Sequence, residues 1–104
     1  MLIYVVSGTT GIYEKVNWIS KSFQNKEDAE KFVIHLRVKI DEIQQKATGI
    51  SELMFNKALY DAVVKYDEFA IVRDGYLDYT LEVVELFLGS PYVKQIADKT
   101  TIIN

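Results

Sequence analysis

Between Asn25 and Gly49 the apolar residues keep helical time. Ala29, Phe32, Val33, Leu36, Ile40, Ile43 and Ala47 are separated by 3, 1, 3, 4, 3 and 4 positions. At about 100° per residue all seven share roughly 100° of arc, the width of a core-facing stripe. Asn25 is a suitable N-cap, and Glu27 and Asp28 follow in the first turn, where the helix dipole favours acids. Thr48-Gly49 ends the helix. Ser51 caps a second one, with Ile50 and Phe55 at the spacing of a hydrophobic staple. Its predicted stripe is Phe55, Ala58, Leu59, Ala62 and Tyr66. So short a connection makes the two helices antiparallel neighbours.

The stripes need an apolar surface to cover, and the N-terminus supplies one. Leu2-Ile3-Tyr4-Val5-Val6-Ser7 is apolar on both faces, as a central strand is. Gly8-Thr9-Thr10-Gly11 is predicted to break it into a loop. Residues 15–23 are more polar and alternate, which suits an antiparallel strand nearer an edge. Phe69-Ala70-Ile71-Val72 is a candidate short strand, and Asp74-Gly75 a hairpin-type turn. The last clear strand is predicted over 78–87. Ser90-Pro91 suits the start of a short helix over 91–98, and Thr100–Ile103 is either frayed or a small added strand. The expected fold is α+β: one domain over 1–104, a small antiparallel sheet in the order β-β-α-α-β, and two amphipathic helices on one face.

Composition narrows the chemistry. A chain of 104 residues holds one core without staples. There is no cysteine, which excludes disulfides, thiolate metal sites and thiol catalysis. One histidine excludes paired-histidine metal sites. The net charge of −3 argues against nucleic acid as a partner. The N-terminal apolar run, Leu2–Val6, is far short of the ~20 residues that span a bilayer. With no basic or cleavable leader after Met1, the expected location is cytoplasmic and not membrane-bound.

Three motifs invite chemistry and fail on spacing. Ser7–Gly11 matches neither a P-loop nor a dinucleotide fingerprint, and the segment after it is strand-like. Aligning Gly75 with the glycine of a calcium loop puts Ala70, Val72 and Leu81 at ligand positions, where none can ligate. His35 lies off the apolar stripe beside Lys31 and Lys39, with no nucleophile or orienting carboxylate assignable. No cofactor or catalytic residue is expected. An alternative class remains: a small-molecule, nucleotide-binding or hydrolytic domain using Gly8–Gly11 backbone amides, with Lys15 or Lys21 nearby.

Two surface features stand out. Asp61, Asp67, Glu68, Asp74, Asp78, Glu82 and Glu85 face only Lys65 and Arg73 within residues 61–85. Asp67, Glu68, Asp74, Tyr76, Asp78 and Tyr79 are the candidate partner-binding set, an acidic face with aromatic contacts that could steer a basic partner. The second feature is a minor apolar stripe. Ile34 and Val38 lie opposite the core stripe of the first helix, and Leu53, Tyr60 and Val64 do the same on the second. Ile34 and Val38 form a nucleus for a helix-to-helix C₂ contact and hence a homodimer. The competing occupant is the chain's own tail from Ser90.

Tyr4-Val5-Val6-Ser7-Gly8-Thr9-Thr10-Gly11-Ile12-Tyr13, then Trp18-Ile19 and Phe23 before a capped helix, resembles a group of small phage and prophage proteins. Those open with a strand, a G-T-T-G-x-Y loop and a Trp-bearing strand, and close on a D-Y-T turn before a final strand. Asp78-Tyr79-Thr80 and Val83-Val84-Glu85-Leu86 are similar. The group carries no catalytic residues over to this chain. The resemblance implies a phage-encoded setting. The expected function is a non-catalytic protein-binding factor, with a modulator or inhibitor of a host or defence protein, of anti-CRISPR type, as its special case. A structural phage component is a further alternative.

Overall fold

A computed structural model describes residues 1–85. The order is β1 (Leu2–Thr10), β2 (Val16–Phe23), α1 (Lys26–Lys46), α2 (Glu52–Val63) and β3 (Leu77–Glu85). The three strands form one antiparallel sheet in the order β2-β1-β3, so the strand that is apolar on both faces is central. The α+β prediction and its element order hold. Positions 86 and 87 of the predicted last strand, the helix predicted over 91–98 and the segment Thr100–Ile103 lie outside the described residues.

Both helix starts follow the sequence signals. The Asn25 side chain accepts from the Asp28 amide, and the Ser51 side chain from the Met54 amide. Ala29, Val33, Leu36 and Ile40 of α1 are buried, with Phe32 and Ile43 partly so. The His35 ring meets Tyr66, just beyond α2, edge-on at 4.5 Å between centroids, so α2 runs back along α1. Leu59 and Val63 of α2 join α1 residues and Val6, Leu77 and Tyr79 of the sheet in one core cluster. Each large side chain buried there stabilises the fold by roughly 1.5–3 kcal/mol.

Three local expectations are corrected. The Gly8-Thr9-Thr10 segment does not break β1. It stays in the sheet, with Gly8 opposite Trp18 on one side and Tyr79 on the other. Glycine is needed at position 8 because the Trp18 indole lies over it; a Cβ there would sit 2.3 Å from a ring carbon. The loop begins only at Gly11, which has φ +89° and where a Cβ would meet the Glu14 carbonyl. Phe69–Val72 is not a strand. It leads into a tight turn in which Asp74 and Gly75 both have positive φ and the Tyr76 amide donates to the Arg73 carbonyl. That is the backbone twist Asp-Gly turns supply. Tyr66 lies past the end of α2 and is 43% exposed, while Val63 takes the buried position.

The sheet's two edges differ. β2 carries a bulge, its register with β1 shifting between Val6 and Ser7 to leave Ser20 without a counterpart. β3 runs against β1 without a shift from Leu77 to Glu85.

Candidate functional site

The six residues read as a partner-binding face do not share one surface. Asp67 and Tyr79, expected to be exposed, are buried at 1% and 0%. Asp67 follows α2 and turns its carboxylate inward. Its Oδ2 accepts from Trp18 Nε1 at 2.9 Å and from the Tyr79 hydroxyl at 2.7 Å, and its Oδ1 accepts from the Phe69 amide at 3.1 Å. Trp18 and Tyr79 also meet edge-to-face, 6.1 Å between centroids. Burial, then the hydrogen bond to Asp67 and that group's charge, push the Tyr79 phenol far above its ordinary range. The proton stays on Tyr79 at any physiological pH. This cluster ties β2, β3 and the segment after α2 together; with each carboxylate oxygen already taken up by donors, it is a structural device.

Asp74 and Tyr76 lie at the end of the sheet. Asp74 Oδ2 accepts from the Ile12 amide at 2.9 Å, joining the β1–β2 loop to the Asp74-Gly75 turn. Buried Thr10 Oγ1 accepts from the Arg73 amide and donates to the Tyr76 carbonyl. Asn56 of α2 accepts from the Gly75 amide at 2.7 Å. Tyr76 and Glu68 are exposed. Gly8, Thr9 and Thr10 pair with strands on both sides, so their amides do not converge on an anion. Among the described residues no group of His, Asp and Glu is placed to hold a metal ion, and no helix is long and apolar enough to cross a membrane.

Asp78 marks a different surface, where α1 passes beside β3. Its Oδ1 lies 3.3 Å from Arg37 Nε. Arg37 also donates from Nε and Nη2 to the Tyr79 carbonyl, at 3.1 and 2.7 Å. The guanidinium therefore reaches round the edge of β3. One turn before Arg37 on α1 stands Ile34, 60% exposed, and directly after Arg37 stands Val38, 48% exposed. Ile34, Arg37, Val38 and Asp41 line one shallow depression. A second joins Glu30, Val33, Ile34 and Arg37 to Leu81 of β3. Val83, two residues on, is exposed. The helix spacing gives Ile34 and Val38. Arg37, Leu81 and Val83 escape the sequence because they belong to this surface only once β3 lies at the sheet edge beside α1. On α2, Leu53 and Tyr60 of the minor stripe are exposed and Val64 is half-buried.

Comparison with protein-family models, curated proteins and solved structures gives no match.

Proposed function

We propose that the protein is a small non-catalytic protein-binding factor whose partner docks where the outer side of α1 meets β3. The observation that carries this reading is the open apolar pair Ile34 and Val38, continuous with Leu81 at the strand edge and rimmed by Arg37, Asp41 and Asp78. An apolar centre with a charged rim is the ordinary make-up of a protein–protein contact. The similarity of the N-terminal and D-Y-T segments to small phage proteins extends the reading to a phage-encoded modulator or inhibitor of a host or defence protein.

The test is affinity capture from native-host lysate, with wild-type chain and the Ile34→Lys/Val38→Glu variant as paired baits. A stoichiometric partner retained by the first and lost by the second supports the reading. A partner held equally by both, or none, counts against it. Sedimentation of the same two chains reads self-association. A wild-type dimer that becomes a folded monomer on double substitution makes the partner a second copy.

A further inference from the structure

Resting on the reading of this flank as a docking surface, we propose that β3 accepts an added strand from the partner. The segment is extended, with Lys or Arg at alternate positions and apolar residues between them.

The backbone of β3 offers the template. Among the described residues β3, nine residues long, is an edge strand. Arg37 takes the Tyr79 carbonyl on the side away from β1. In an antiparallel strand every second residue turns the same way, so Leu81 and Val83 also present their amides and carbonyls outward. Exposed edges are usually blunted by bulges, lysines, prolines or inward charges. β2, the opposite edge, has its bulge at Ser20 and carries Lys21. β3 has an unbroken register and no Lys, Arg or Pro.

The side chains select the occupant. On the α1 side of the edge a new strand would lay alternate residues against Ile34, Val38 and Val83, which asks for apolar groups. On the other side its remaining residues would lie beside Asp78, which Arg37 already pairs at 3.3 Å, and beside Glu82, the acid of the seam that Arg37 does not reach. Cross-strand opposite charges are favourable and like charges unfavourable. A second copy of β3 would bring the same acids to the seam, so charge complementarity favours a basic segment from a different protein. Strand addition of this kind draws affinity from main-chain bonds and selectivity from alternate side chains.

The probe is a synthetic peptide of alternating Lys and Val long enough to pair with residues 81–85, beyond the Tyr79 carbonyl that Arg37 occupies. Two controls accompany it: a Glu-for-Lys counterpart, and the Lys peptide N-methylated along the pairing edge. Each is titrated into the isotope-labelled full chain by NMR. The Lys peptide should protect the Leu81 and Val83 amides from exchange, and each control should bind about tenfold more weakly or worse. A second arm uses Val83→Pro, which removes one outward amide at an edge position where proline is tolerated. It should abolish Lys-peptide binding while the circular dichroism stays native.

Equal binding of the N-methylated peptide, or of the Glu peptide, overturns the proposal. So does protection of Leu81 and Val83 in the free chain, which would place the chain's own residues on the edge, or protection that grows with protein concentration, which would place a second copy there. Capture of a partner that depends on Ile34 and Val38 but survives Val83→Pro keeps the docking surface and removes the added strand.

Discussion

The Trp18 indole N–H and the Tyr79 hydroxyl converge on one oxygen of Asp67, at 2.9 and 2.7 Å. The two donors come from opposite edge strands of the sheet, and the acceptor from the segment that follows α2. One buried carboxylate thus joins the sheet to the helical layer.

Removing that acceptor strands two donors, the buried Tyr79 hydroxyl and the partly buried Trp18 indole N–H. Asp67→Ala should lower unfolding free energy by about 2–4 kcal/mol, read from urea melts. Asp67→Asn keeps one oxygen acceptor and should fall between Asp67→Ala and wild type. Equal stability of all three chains would show that the carboxylate does not tie these elements together.

Tyr79 gives a pH signature. Its hydroxyl holds its proton in the folded chain well above the ordinary phenol range, chiefly because burial opposes the charged form. The unfolded chain releases that proton near pH 10. Above that pH the folded state binds more protons than the unfolded one, so stability falls as pH rises, by about 1.4 kcal/mol per unit from this group. The wild-type minus Tyr79→Phe stability difference, measured by denaturation from pH 8 to 11, should shrink above pH 10. A difference that is flat across that range would contradict the burial of the phenol.

Gly8→Ala tests the close approach of Trp18. The added methyl would lie 2.3 Å from an indole carbon whose ring is held by Asp67 and Tyr79. The expected loss is about 1–3 kcal/mol. The same substitution should cost less in a Trp18→Phe background, and a thermodynamic cycle on the four chains measures that coupling.

Gly8 and Asp67 also mark where sequence reading stops. Asn25, Ser51 and the α1 stripe announce themselves locally, since capping and helical period are short-range physics. The central place of β1 is equally legible, because only a strand covered on both sides is apolar on both faces. Gly8 is different: its reason is a ring ten residues on, so the sequence suggests a loop where the chain continues as strand. Asp67 and Tyr79 read as members of an acidic, aromatic surface because charge along the chain is one-dimensional. What draws Asp67 inward is Trp18, 49 positions away. Of the candidate site, the pair Ile34 and Val38 is visible as a second helical stripe, whereas Arg37 and Leu81 join it only through the placement of β3.

Ser20 carries the opposite expectation to Asp67. It sits in the β2 bulge with its hydroxyl buried and without a hydrogen-bond partner among the described residues. Ser20→Ala removes an unsatisfied group and should leave stability unchanged or raise it by up to about 1 kcal/mol in thermal or urea melts. A clear loss would show that the hydroxyl has a partner in solution.

The docking surface is tested most directly by site-specific photo-crosslinking in host lysate. A benzophenone side chain replaces Val38 on the outer side of α1 or, as a control, Tyr13, which is 92% exposed in the β1–β2 loop. A docking surface on α1 predicts one discrete adduct of a single partner from position 38 and none of that partner from position 13. The same adduct from both positions, or no discrete adduct from position 38, would contradict it.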